Sequence, residues 1–398
     1  MSNSSKYKVD IDSLTFEQLK KIRAYLRHMI DNGGSDLHIK AGSVIRARFD
    51  GSLKKLTKEI MTHSDSMTLA KEILKSRFGE FIKNKEIDLV YPFDENSRFR
   101  VNMFFQIDGV SAVFRVIPMK IPTFKENKLP EVLRSFTQKE RGLILVTGVT
   151  GSGKSTTLAT LIDEVNKTKK KHIITIEDPV EFVHKDNNCI INQRSVGQDT
   201  LSFKNALRAA LREDPDIILV GEMRDVETIN LALHAADTGH LVFSTLHTID
   251  AKETINRIIA QFPVDEQPRV RLSLASVIQG VVSQRLIPTR DNKRVAAMEI
   301  MVKTPTIEKL IMENRDYEIS SAIANGKEYY KSQTFDQCIY DFYVDNIISR
   351  EQALSNATNS SDMKLRMSGL SSGQISTSNI EKGNKKEQIN HDDAFDLK

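Results

Sequence analysis

Tryptophan is absent from the 398 residues of this chain, and cysteine occurs only twice, at Cys189 and Cys338. Two cysteines without partners at ligand spacing exclude a disulfide framework and a four-cysteine zinc element, so both read as small buried hydrophobes. No segment approaches the roughly 18 consecutive apolar residues of a membrane span. The polar stretch from Met1 to Asp12 lacks the apolar region of a secretory signal, which sets the expectation of a cytosolic protein. Charge of one sign is scarce too, since 57 basic and 53 acidic residues leave a net charge of +4. That excess is no nucleic-acid footprint. The aromatic residues sit mostly in apolar runs, not interleaved with cations as a single-strand binder requires. No nucleic-acid partner is expected.

What is present is patterned. A chain of this length predicts two domains, because one core seldom grows past about 250–300 residues. Phe16 to Ile30 has near-helical apolar spacing closed by Gly33-Gly34. Arg98 to Ile117 alternates as two strands around a hairpin at Asp108-Gly109. Residues 1–118 are read as the first domain, and the proline- and lysine-bearing stretch 119–130 as a linker. From 131 to 355, apolar strand runs at 143–146, 172–176, 217–220 and 241–243 alternate with helices, which predicts a mostly parallel α/β sheet covered on both faces. The portion from 304 to 355 reads as helical. Residues 356–398, rich in Ser, Asn, Gly and Lys, read as a mostly disordered tail.

The segment Gly148-Val149-Thr150-Gly151-Ser152-Gly153-Lys154-Ser155 fits G-x-x-x-x-G-K-[ST] between a buried strand and a helix. The glycines let backbone N–H groups turn around phosphates at a helix N-terminus. Lys154 is expected to neutralise β- and γ-phosphate oxygens and Ser155 to hold magnesium, with Thr156 packed beside it. Binding alone is not hydrolysis. Two acidic segments, Glu177-Asp178-Pro179-Val180-Glu181-Phe182 and Gly221-Glu222, follow strand runs, and strand C-terminal ends are where an open α/β sheet keeps its ligand crevice. One glutamate can take a proton from water while another orders water and magnesium. His247 also follows an apolar strand.

Leu211 to Asp225, Ala236-Asp237-Thr238-Gly239-His240, Thr245 to Thr248, Glu177 to Phe182 and Gly33 to Ile39 together resemble the secretion and pilus ATPase superfamily. The resemblance is strongest to its type IV pilus retraction (twitching-motility) branch and runs from about Leu26 to about Met367. It implies a RecA-like P-loop core with a smaller α+β, PAS-like N-terminal domain, assembled as a homohexamer that hydrolyses ATP with Mg2+. It further implies that Glu181 is the general base and that Glu222 positions magnesium and the attacking water. His240 and His247 report the γ-phosphate, and Arg98, Arg100 and Arg115 complete a neighbouring site. The implied setting is cytoplasmic, against an inner-membrane pilus platform protein, with a paralogous retraction ATPase as a further partner.

One segment departs from that pattern. Thr304 to Ile311 occupies the place of the branch's Ala-Ile-Arg-Asn-Leu-Ile motif, with Glu308 and Lys309 where Arg and Asn stand. Hydrolysis is untouched by that change; coupling to pilus withdrawal is not. The competing readings are an accessory retraction paralogue, a pilus-extension or type II secretion ATPase, a RecA-like nucleic-acid motor and a non-hydrolysing nucleotide switch.

Overall fold

The computed structural model describes residue 9 and residues 13–95, 97–117 and 120–369. The final stretch of the expected tail, 370–398, lies outside the described residues.

The N-terminal unit is built on a fully antiparallel sheet. Its strands are β1 (Asp36–Lys40), β2 (Val44–Phe49), β3 (Ser52–Ile60), β4 (Glu86–Asp94), β5 (Ser97–Gln106) and β6 (Gly109–Ile117). They lie in the order β3-β2-β1-β6-β5-β4. Helices α1 (Glu17–Asp31), α2 (His63–Leu74) and α3 (Phe78–Asn84) pack their apolar faces on one side of it. Alternation explains the layering: Phe99, Val101 and Met103 are fully buried, while Arg98 and Arg100 project from the other face. The helix ending before Gly33-Gly34 and the hairpin turn at Asp108-Gly109 are found as expected.

The larger unit begins with α4 (Val132–Thr137). Its strands are β7 (Gly142–Thr147), β8 (His172–Glu177), β9 (Ile190–Ser195), β10 (Ile217–Val220), β11 (Leu241–Leu246), β12 (Ile278–Pro288) and β13 (Arg294–Val302). The sheet order is β13-β12-β7-β11-β10-β8-β9, parallel throughout except for the antiparallel edge strand β13. Burial of every residue in β7, β10 and β11 accounts for their continuous apolar runs. Helices α5 (Lys154–Thr168), α6 (Phe203–Ala210), α7 (Val226–Asp237), α8 (Ala251–Ala260) and α9 (Gln267–Val277) cover the two faces.

The helical C-terminal portion comprises α10 (Pro305–Met312), α11 (Ile319–Asn325), α12 (Lys327–Tyr330), α13 (Phe335–Val344), α14 (Arg350–Asn356) and α15 (Ser360–Met367). It runs further than the sequence reading allowed. Met363 of α15 is buried in the small core of Phe335, Ile339 and Ile348, so 360–367 is folded helix and not tail. Within α10, Glu308 pairs with Lys303 at 3.3 Å and Lys309 with Glu313 at 3.7 Å.

Candidate nucleotide site

The loop after β7 is shaped by steric necessity. Gly148 has φ +140°, and a Cβ there would lie 2.5 Å from the Gln284 carbonyl oxygen of β12, so only glycine fits. Gln284 also donates from Nε2 to the Ser152 carbonyl at 3.3 Å, and the Thr147 hydroxyl donates to that of Ser283 at 2.9 Å. Strand β12 is thus the floor of the loop. Gly153, at φ +92°, opens α5 with no side-chain cap, which leaves the helix's first N–H groups directed into the crevice.

That crevice is a cavity of about 580 Å3 at the C-terminal ends of β8, β10 and β11. Thr150, Gly151, Gly153, Lys154, Ser155 and Thr156 line it from the loop and α5, Glu181 from the acidic segment after β8, Glu222 from the segment after β10 and His247 from that after β11. Lys154 Nζ donates to the carbonyls of Gly148 at 2.8 Å and Val149 at 3.1 Å. Burial pulls its pKa below the usual lysine value, against the attraction of Glu181 and Glu222. Glu222 is held by Arg224 Nε at 2.6 Å and lies 3.5 Å from His247 Nε2. The Ser155 hydroxyl and the Glu222 carboxylate are oxygen donors suited to a hard divalent cation, with phosphate oxygens and water completing its shell.

Among the lining residues without a role in the sequence reading are Glu177, Arg224 and Arg294. Glu177 is the most telling. It accepts the Thr175 hydroxyl at 2.6 Å and the Glu181 N–H at 3.4 Å, and burial, with Glu181 nearby, raises its pKa to about 7. Its place as the last residue of a buried strand, beside a second glutamate four positions on, was the available signal. A raised carboxyl pKa favours folding below the unfolded value of about 4.5, and this contribution is lost as pH rises through about 7. Glu177→Gln keeps an acceptor without the charge. It is therefore expected to raise the thermal midpoint by a few degrees at pH 8 and to leave it unchanged at pH 4, as scanning calorimetry at the two pH values checks.

Four expected ligands are not at the cavity of their own subunit. His240 precedes β11, at the opposite end of the sheet, with its Nδ1 3.0 Å from the Ala235 carbonyl. The six residues of β11, a span of about 20 Å, separate it from the phosphate loop, so it cannot read a γ-phosphate bound in its own chain. Arg98, Arg100 and Arg115 lie on the exposed face of β5 and β6, where Arg100 and Arg115 are direct cross-strand neighbours. Arg115 Nε donates to the buried Asp36 at 2.6 Å, Arg100 is 4.0 Å from Asp88, and Arg98 Nε is buried without a partner. Arg100 comes nearest in effect, since its charge, with that of Arg224, offsets the burial that raises the pKa of Asp178.

Residues 15–346 match the Type II/IV secretion system protein family. The chain is 48% identical over 329 residues to PilT, the type IV pilus retraction ATPase of Pseudomonas aeruginosa, spanning 82% of this chain and 94% of that protein. It is 38% identical over 342 residues to PilU, a type IV pilus ATPase of the same organism, across 85% of this chain and 89% of PilU. A solved structure of the pilus retraction motor PilT with bound ADP matches with a TM-score of 0.80 and 42% identity, over 86% of this chain and 98% of that one.

Proposed function

The chain belongs to the type II/IV secretion ATPase family, as an ATPase of its pilus-retraction branch, and from that premise we propose a homohexameric motor that draws a type IV pilus inward by hydrolysing ATP at subunit junctions. The observation that carries this reading is the convergence of Lys154, Glu181, Glu222 and His247, from four separate segments, on one crevice at a phosphate loop. Lys154 neutralises the β- and γ-phosphate oxygens, while Glu181 accepts the proton of the attacking water. Glu222, steadied by Arg224 and His247, orients that water. The Ser155 hydroxyl, and Glu222 through water, would hold magnesium, which would supply neutralisation of the phosphate charge. The base and sugar are assigned to the adjoining cavity of about 380 Å3 between linker residues Asn127 to Leu129 and the β12–β13 turn.

The three arginines are assigned to the neighbouring subunit's nucleotide. Arg100 and Arg115 face each other across the ladder, a like-charge arrangement that an anion relieves. His240 is likewise assigned to the subunit junction. The working position is cytoplasmic, against an inner-membrane pilus platform protein.

Deleting the gene in its host tests the direction of the motor. Abundant but immobile pili are the expected result, whereas loss of pili would point to extension. A second reading, an accessory subunit acting with a paralogous motor, is favoured by Glu308 and Lys309, whose ion pairs lie on the exposed side of α10. Under that reading the deletion leaves twitching largely intact.

A further inference from the structure

Glu299, on the edge strand β13, is a buried carboxylate for which hydrolysis as described has no use. It is 6% exposed and accepts the Ala251 N–H at 2.9 Å, the first N–H of α8. Three residues before α8's cap, Asp250, stands His247. The remaining hydrogen bonds of residues 248–251, among the described residues, are internal to the turn. Thr248 and Thr254 share one at 2.7 Å, Ile249 N donates to Glu253 at 3.0 Å, and Asp250 accepts Glu253 N at 2.7 Å. These make the turn rigid but do not fix where it sits. The bond to Glu299 ties it to another part of the fold.

We propose that Glu299 is a positioning residue for ATP hydrolysis, holding the start of α8 so that His247 stays against Glu222. This rests on the role given above to His247. The cost of the arrangement argues that it is built for a purpose. A carboxylate buried for a single backbone N–H costs free energy unless the bond does something that an apolar side chain could not. Glu299 also lies directly opposite Ser283, whose hydroxyl accepts from Thr147 at the entrance of the phosphate loop. One cross-strand pair therefore braces both walls of the crevice.

Charged groups from every side act on Glu299. Its pKa is raised to about 7, chiefly by burial, with Asp250 on the turn and Asp336 of α13 acting in the same direction and the Ala251 N–H and Arg285 of β12 opposing them. Arg285 lies over the Phe335 ring at 3.9 Å and donates to the Asn356 carbonyl at 3.5 Å, while Asp336 accepts the N–H groups of Thr358 and Asn359. The C-terminal helices thus supply one charge that acts on Glu299, Asp336, and pack against the arginine that supplies another.

The test compares Glu299→Ala with Glu299→Gln in the full chain, reading steady-state ATP hydrolysis and amide exchange over residues 248–254 without nucleotide. Glu299→Ala is expected to speed exchange at Ala251 and lower kcat about 10-fold, with KM for ATP changed less than about twofold. Glu299→Gln, which keeps the acceptor oxygen, restores both. In a His247→Ala background the Glu299→Ala loss should nearly vanish, because both act through one contact. Unchanged exchange in Glu299→Ala overturns the proposal, as does an undiminished 10-fold loss once His247 is gone. A His247→Ala single variant with full turnover would instead remove His247 from the site, and the positioning role with it. If Glu299→Ala does not fold, Glu299→Gln and Glu299→Asp carry the same comparison, the shorter aspartate being expected to lose kcat and exchange protection together.

Discussion

Replacing Glu181 by glutamine is expected to slow ATP turnover at least about 100-fold, the usual cost of losing a general base, while ATP affinity stays within about threefold. The expectation follows from where the side chain stands. Glu181 lines the crevice with Lys154 and Glu222, it is near enough for its charge to favour protonated Lys154, and its backbone N–H is held by the buried Glu177. Glutamine occupies the same space and keeps hydrogen-bonding capacity, so binding survives and proton acceptance does not. Single-turnover measurement on nucleotide-loaded protein separates the two. Turnover near that of the parent would assign the base to another group, with Glu177 the next acid in line.

The second large effect concerns Arg98 and Arg100. An arginine that stabilises transferred phosphate from a neighbouring subunit contributes about 10³–10⁵ in rate. The double replacement by alanine is expected to cost about 10³ in kcat with nucleotide affinity little changed. Arg115→Ala should differ in kind, because it also leaves Asp36 buried with its 2.6 Å partner gone, and a stability loss should accompany the rate loss. Mixing provides the decisive control. Glu181→Gln subunits keep their arginines and Arg98→Ala/Arg100→Ala subunits keep their acids. Co-assembled one to one, roughly a quarter of head-to-tail junctions then carry both intact halves, and activity should reappear. Arginines acting within their own chain would give no recovery.

How far such a site can be read from sequence depends on the physics of each part. The phosphate loop was legible because its chemistry forces residue types: no side chain fits at Gly148, and a lysine must follow the turn at Gly153. Strands β7, β10 and β11 were legible because burial on both faces leaves continuous apolar runs. The hairpin β12–β13 was not. Its buried positions include Gly280, Ser283, Gln284 and Glu299, which are there to floor the phosphate loop and hold α8, so the apolar signature of a central strand is interrupted. Strand β9 is only partly buried at the sheet's edge and carries Asn192, Gln193 and Arg194, which hides it for a different reason.

Among the site residues, Glu181, Glu222 and His247 could be placed at the crevice because each lies within four residues of the end of a strand and strand ends converge. His240 came from the resemblance alone, and the register, with Leu241 paired to Gly142 and Leu246 to Thr147, places it at the end of β11 away from the loop of its own chain. Arg294 was missed because nothing local marks it. Its place at the meeting of the two cavities comes from the antiparallel return of β13. Helix α15 was missed for lack of apolar spacing, since one buried side chain, Met363, anchors it.

The central claim is that Lys154 and the loop around it grip a nucleoside triphosphate beside the acids that split it. Calorimetric titration of the assembled protein with ATP and magnesium, next to Lys154→Ala, tests this directly. The account predicts saturable uptake by the parent and an affinity at least about 100-fold weaker in Lys154→Ala. Uptake of equal strength by both proteins, or none by the folded parent, would contradict it.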